Sequence, residues 1–389
     1  MKVLIYFGKN ELKPVGGPSG YLFNLNKGLK KIDNHEVIFL DRNNNNNTSF
    51  LKQSIKKMFS EKAWYRLCLI KYIHGILKSD GNEYGKSFEQ FDAVHFHSTA
   101  DLYKNRELLK NYKGKVILTS HTPEAPYLEN KDLMVSSKFP KFLISKISRK
   151  FKKIDIYSFT RADNIIFPCK EAMEPYLNTF TYFKNNYESL IKKISYVATG
   201  IESKENIRPN AKLLKNDHFK VCYIGRHNSI KGYDLLVKAA KKIEKIDQDI
   251  KFVIAGRLGP EYPDKTLKNW EELGWTNDPL SIESACNLFV LPNRETYFDL
   301  ALIEALSVPS VVLVSDTGGN KYFRKFKTKA INFFQNGDIE DLVKKILLIK
   351  NEYDTNKLKT ENKKIYSNNF TSKIFAQNYV DVIENILRG

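Results

Sequence analysis

Residues 291–323, LPNRETYFDLALIEALSVPSVVLVSDTGGNKYF, constrain the fold of this chain more than any other stretch. They read as the end of a buried strand, a polar turn, a helix carrying an acid among apolar residues, and a second strand that ends in Asp316-Thr317-Gly318-Gly319. A doubly wound α/β sheet uses that order to set a ligand against backbone amides at the carboxyl edge of its strands. The expectation is a phosphate-bearing ligand.

The same alternation runs along the whole chain. Residues 3–7 form a continuous apolar run, GKNELKPVGGPSG reads as a turn, and Leu22, Leu25, Leu29 and Ile32 then mark one face of a helix. Residues 37–40, 93–96, 116–119, 164–167 and 194–197 read as further strands of one parallel sheet. After the polar stretch KENIRPNAKLLKNDH the pattern restarts with FKVCYIGR, KFVIAGR, ACNLFVLPN and SVVLVSD, a second sheet of the same kind. At 389 residues, 42% of them hydrophobic, the chain suits two α/β domains better than one. The asparagine-rich run after Arg42 reads as a loop.

Composition excludes several classes. The apolar run before Lys9 is too short for a secretory signal, and no stretch is long enough to span a bilayer, so the expected location is the cytoplasm. Cys68, Cys169, Cys222 and Cys286 lack metal or redox spacing and read as buried reduced thiols, with neither disulfide nor zinc expected. The net charge is +19 and sits mainly in the first half, with 34 basic and 21 acidic residues up to position 205. Two segments, 50–78 and 136–159, read as amphipathic basic helices. In the second, Ile144, Ile147, Phe151 and Ile154 oppose Lys146, Arg149, Lys150, Lys152 and Lys153. Such a helix suits either an anionic membrane surface or a core-facing stripe with a solvated basic back. No nucleic-acid-binding motif appears, and nucleic acid is not an expected partner.

Several spaced elements carry a resemblance: Gly16-Gly17 after the first strand, VHFHS at 94–98, TSHTP at 119–123, GRHNSIKGYDLL at 225–236, the stretch from Glu295 to Glu304, and SDTGGN at 315–320. In this order the chain resembles, over nearly its whole length, the retaining nucleotide-sugar glycosyltransferases of the GT-B type, specifically glycosyltransferase family four. The resemblance implies two Rossmann-like domains facing across a cleft. Residues 1–203 would bind the acceptor, residues 204–370 the nucleotide-sugar donor, and a helix in 371–389 would cross back to the first domain. It also implies that no metal or other cofactor is needed.

Each candidate residue also has a physical reading. Arg226 and Lys231 flank a strand-to-helix turn, where a guanidinium and an ammonium can clamp a diphosphate leaving group. Glu304, among apolar residues, needs a partner such as a ribose diol. The family places seven residues between its two glutamates, whereas eight separate Glu295 from Glu304. An ungapped register sets Thr296 at the first position, with Tyr297 and Asp299 where the family has small glycines. Either a bulged turn returns Glu295 to the sugar, the reading preferred, or Thr296, Asp299 and the turn amides replace it. The amides of Tyr297, Phe298, Asp299 and Leu300 are expected to hold phosphate or sugar oxygens. Gly16 and Gly17 allow close approach to the donor, and Ser19 adds a hydroxyl. His121 follows a strand and by resemblance contacts sugar or transition state, whereas His95 and His97 suit a structural or acceptor-side role equally. Trp275 and Thr276 lie where similar enzymes hold the base, with uridine favoured over guanosine.

The expected activity is front-face transfer, with retention, of a hexose or N-acetylhexosamine from a nucleoside diphosphate sugar, most readily a UDP-sugar. The expected acceptor is a lipid-linked glycan at the inner face of a bacterial membrane, in surface polysaccharide assembly. The Lys- and Asn-rich composition fits a bacterium with an A/T-rich genome. Two alternatives stay open: a non-catalytic GT-B partner subunit, suggested by the shifted glutamates and the crowded turn, and a two-domain sugar-nucleotide epimerase.

Overall fold

The structure, a computed structural model, describes residues 1–8, 12–14, 17–32, 36–40, 60–202, 206–257 and 267–389. Gly16, the asparagine-rich run, residues 50–59 of the first basic segment and the boundary expected at 203–204 lie outside them.

Two six-stranded sheets dominate, and every strand pairing in them is parallel. The first orders its strands β2-β1-β3-β4-β5-β6, with β1 Lys2–Tyr6, β2 Glu36–Phe39, β3 Ala93–Phe96, β4 Lys115–Leu118, β5 Asn164–Phe167 and β6 Ile194–Tyr196. The second runs β12-β11-β10-β7-β8-β9, with β7 Phe219–Ile224, β8 Ile250–Ala255, β9 Trp270–Gly274, β10 Leu288–Leu291, β11 Val311–Ser315 and β12 Ile331–Phe334. Central strands are covered on both faces and so are apolar throughout, as in β11, where all five residues are buried. Both sheets are the doubly wound arrangement expected from the sequence. Strands β9 and β12 were not anticipated. Both are edge strands, and β9 (WEELG) alternates half-buried with exposed positions, which removes the continuous apolar signature.

Seven helices position the site and the surface charge: α1 Pro18–Leu29, α2 Glu61–Leu77, α3 Pro126–Ser136, α4 Lys141–Arg161, α5 Tyr233–Ile246, α6 Leu300–Ser307 and α7 Ser372–Arg388. Helix α7 returns to the first sheet. Its Phe375, Ala376, Tyr379, Val380 and Ile383 share one core with Val3 and Ile5 of β1 and Leu22 and Leu25 of α1. The approach of α1 to α7 is close enough that a Cβ on Gly28 would fall 1.9 Å from the Ser372 carbonyl oxygen. The crossing is pinned by backbone hydrogen bonds from Ile201 N to Phe370 O and from Ser372 N to Ile201 O, each 2.8 Å.

The basic helices resolve the choice left open for their apolar stripe. Ile144, Phe151 and Ile154 of α4 are buried against Leu69, Ile73 and Ile76 of α2 and Met134 of α3, with Ile147 partly buried beside them. That stripe is core, and Lys146, Arg149, Lys150 and Lys153 form a solvated back. Other apolar groups remain outside: Tyr65, Leu67, Ile70 and Tyr72 on α2, and Phe142, 72% exposed, in the first turn of α4. Cys68 also departs from expectation. It lies exposed on α2, while Cys169, Cys222 and Cys286 are buried. Among the described residues no helix is long and apolar enough to cross a membrane.

The Tyr379 hydroxyl meets Nδ1 of the fully buried His95 at 3.0 Å, which ties α7 to β3 by a polar contact inside an apolar layer. Tyr379→Phe leaves a buried ring nitrogen without its partner and should lower the unfolding free energy by about 1–3 kcal/mol. Urea denaturation checks this; an unchanged midpoint would contradict it.

Candidate functional site

The loop between β7 and α5 carries Arg226 and Lys231 to the carboxyl edge of the second sheet. Arg226 is exposed, and its carbonyl accepts a hydrogen bond from the Tyr223 hydroxyl at 2.7 Å. Lys231 is half-buried. At Gly232, where φ is 66°, a Cβ would fall 1.7 Å from the Pro292 carbonyl oxygen, so this loop lies backbone to backbone on the turn after β10. Arg294 strengthens that contact. Its amide donates to Ile230 O at 2.9 Å, and its guanidinium donates to Ser229 O at 2.6 Å and to both Asp234 oxygens at 2.5 and 2.6 Å. The Asp234–Arg294 pair was missed from the sequence because its members are 60 positions apart and neither belongs to a recognisable spacing.

The turn of residues 295–299 is braced from below. Gly319 N donates to Thr296 O at 3.1 Å, and Cβ atoms on Gly318 and Gly319 would fall 2.2 and 2.0 Å from the carbonyl oxygens of Thr296 and Tyr297. The paired glycines after β11 thus support the turn by close packing, a job only residues without Cβ can do here. Thr296 is buried. Tyr297 reaches across to the first domain, its ring 5.6 Å from that of Phe167 and its hydroxyl donating to Ile166 O at 3.4 Å. Phe298 stacks on Phe323 at 5.3 Å, in an aromatic cluster with Tyr322 and Phe370. The side chains of Tyr297 and Phe298 are therefore both engaged within the protein.

Asp299 engages its side chain inside the protein. Its Oδ1 accepts from Ala301 N at 3.2 Å and caps α6, while Oδ2 accepts from Asn293 Nδ2 at 2.8 Å and from the Lys231 ammonium. Burial opposes the charged carboxylate, yet Lys231 and Asn293 outweigh it and hold this carboxyl below its usual range. Leu300 opens α6, and Glu304 lies half-buried one turn on, between buried Ile303 and Ala305. At the β9 end of the sheet Trp275 is 62% exposed, with the Arg257 guanidinium 5.0 Å over its ring, and the Thr276 hydroxyl accepts from Asp278 N at 3.0 Å.

Across the cleft, Gly17 caps α1 with φ 77° and has nothing within 4 Å of the space a Cβ would fill; Ser19 is half-buried in the first turn. Three histidines line the ends of β3 and β4. His95 bonds Tyr379 and, at 2.9 Å, the Thr119 hydroxyl, which makes it a structural residue. His97 Nδ1 meets His121 Nε2 at 2.7 Å, so the two rings orient each other, and His121 adopts the left-handed region at φ 61° with the Tyr21 ring 4.6 Å away. Burial keeps all three neutral, lowering His95 and His121 to about 3 and His97 well below its usual value.

Acidic groups missed in the sequence line this face. Burial, then the charge of Glu295, pushes Glu124 up to about 7. Glu295 is itself raised by burial and then by Asp132. Glu129 is raised by burial, with Arg226 opposing. Glu295 and Arg226 of the second domain therefore face Glu124, Glu129 and Asp132 of the first. Nothing in the local spacing of these acids marks them; only the meeting of the two sheets does. Among the described residues no three His, Cys, Asp or Glu side chains gather as metal ligands.

The histidines predict a pH dependence. Their folded values lie below the ordinary 6.5, so the unfolded chain binds more protons as pH falls. Their contribution to stability is complete above about pH 6.5 and is lost on the way down towards about pH 3. The thermal midpoint should drop between about pH 7 and about pH 5, and less steeply in His95→Gln. Equal slopes would contradict this reading.

Comparison with known proteins bears on the second domain first. Residues 205–366 match the family described as glycosyl transferases group 1. No curated protein matches the chain by sequence. Similar solved structures include Alr3699/HepE from Anabaena in complex with UDP, at 13% identity and TM-score 0.65, covering 99% of this chain and 100% of that one. The same protein with UDP-glucose aligns at 12% identity and TM-score 0.64, covering 99% and 100%. Sucrose-phosphate synthase from Thermosynechococcus elongatus aligns at 15% identity and TM-score 0.64, covering 100% of both chains. At such identities the likeness is one of fold, and that fold is GT-B.

Proposed function

We propose that this chain, a glycosyltransferase whose residues 205–366 match the group 1 glycosyl transferases, moves a hexose or N-acetylhexosamine from a UDP-sugar to a glycan acceptor with retention of configuration. The observation that carries the reading is the loop bearing Arg226 and Lys231, packed on the turn of residues 292–299 at the carboxyl edge of the second sheet. Two cations there suit a diphosphate whose charge grows as the sugar bond breaks. Glu304 takes the ribose, and the exposed Trp275 ring with Thr276 takes the base. Uridine is supported by the UDP and UDP-glucose bound to the similar HepE structures.

The sugar then faces His121, held by His97, and Glu295. Gly17 and Ser19 at the start of α1 cover the diphosphate from the other side. Residues 1–203 receive the acceptor, residues 204–370 the donor, and residues 371–389 couple them. The departing diphosphate oxygen takes the acceptor hydroxyl proton on the same face of the sugar. Arg226 and Lys231 stabilise that leaving group, and closure of the cleft excludes water.

The acceptor is a lipid-linked glycan on the inner face of a bacterial membrane, in surface polysaccharide assembly. The basic backs of α2 and α4, with Tyr65, Ile70, Tyr72 and Phe142 exposed among them, support attraction to an anionic bilayer. Vesicles containing phosphatidylglycerol should retain the protein in flotation, and the double variant Lys146→Glu/Lys150→Glu should be released. Equal flotation of both, or flotation of neither, overturns the membrane proposal.

The reach of Tyr297 into the first domain favours a second reading, a non-catalytic partner whose cleft is filled. One panel separates the two. Thermal shifts with UDP, GDP, UDP-glucose, UDP-galactose, UDP-N-acetylglucosamine and GDP-mannose should show stabilisation by the uridine compounds, lost in Arg226→Ala. That variant should also lose about 100-fold in turnover while keeping its fold. No shift with any nucleotide would favour the partner subunit.

A further inference from the structure

The ammonium proposed to clamp the diphosphate already has an anionic partner inside the protein. Lys231 Nζ is paired with Asp299 Oδ2, and that carboxylate is fixed from three sides: by Lys231, by the Asn293 amide at 2.8 Å, and through Oδ1 by the Ala301 amide at 3.2 Å. Neither side chain is free to swing into water, since only 24% of Lys231 and 11% of Asp299 are exposed. The segment carrying Asp299 is held too, because Gly318 and Gly319 pack on the carbonyls of Thr296 and Tyr297.

We propose that Asp299 is a positioning counter-ion that competes with the donor diphosphate for Lys231, holding the ammonium in place while weakening the grip on the nucleotide. This rests on the assignment of Arg226 and Lys231 as the diphosphate clamp. The carboxylate cannot donate a hydrogen bond to a phosphate, and at this distance from Lys231 it repels one. A diphosphate that arrives here shares an ammonium whose charge is largely matched. Of the two clamp cations, Arg226 is exposed, with Glu129 within electrostatic reach, whereas Lys231 is paired directly with Asp299. The consequence is a site that holds Lys231 without side-chain disorder and releases the nucleoside diphosphate product readily.

Calorimetric titration with UDP, and with GDP in parallel, tests this in wild type, Asp299→Asn, Lys231→Ala and the double variant, with EDTA present throughout. Asparagine keeps an oxygen to cap α6 and removes the charge, with a neutral amide nitrogen in the place of the oxygen that accepts from Lys231 and Asn293. Asp299→Asn should tighten nucleotide binding about 10-fold and lower the donor KM in step. In the Lys231→Ala background the same change should give less than about a twofold gain, since the competition runs through the lysine. A merely structural Asp299 would alter the melting temperature but not this coupling. If Lys231→Ala weakens binding and Asp299→Asn fails to tighten it, the counter-ion role is overturned and the clamp stands. If Lys231→Ala leaves affinity unchanged, or neither nucleotide binds wild type, the clamp itself falls and the counter-ion role with it. Should Asp299→Asn fold poorly, Asp299→Ser, which retains a capping oxygen, gives the same reading of charge removal.

Discussion

The site depends on the contact of three loops, backbone against backbone, at the carboxyl edge of the second sheet. Gly232 lies on the Pro292 carbonyl, and Gly318 and Gly319 lie on those of Thr296 and Tyr297. At each of these points a Cβ would sit about 2 Å from a backbone oxygen, far inside any tolerable contact. The strands β7, β10 and β11 are neighbours in the sheet, so their loops start close together, and the absent side chains let them meet. Arg294 then locks the first pair through Ser229, Ile230 and Asp234. Lys231, Asp299 and Glu295 take their positions from this framework.

Much of the fold was legible because buried parallel strands are apolar along their whole length. The central strands coincide with such runs, while all four edge strands are incompletely buried: β2 and β6 were still read from the sequence, and β9 and β12 were not. The apolar stripe of α4 was legible as a stripe but not in its direction, because Ile144, Phe151 and Ile154 present the same periodicity to a core or to a bilayer. The exposure of Cys68 was not legible either, since α2 carries apolar residues on all sides.

At the candidate site, the sequence pointed to loops that the fold brings together and missed how their side chains pair. Tyr297 and Asp299 stood out as bulky where space was expected. Only the fold reveals that Tyr297 points into the first domain and that Asp299 binds Lys231. Glu124, Glu129 and Asp132 were invisible for another reason. Their effect comes from facing Glu295 and Arg226 across the cleft, a relation between two sheets that no local pattern encodes. Glu124, Glu129 and Asp132 of the first domain thus lie within electrostatic reach of Glu295 and Arg226 of the second, while the outer helices of that first domain carry the excess of positive charge.

A crystal structure of the protein with UDP tests the central claim most directly. The account predicts the diphosphate within hydrogen-bonding distance of Arg226 and Lys231, the ribose hydroxyls on Glu304 and the uracil against Trp275. Nucleotide bound elsewhere, with Arg226 and Lys231 untouched, would contradict it.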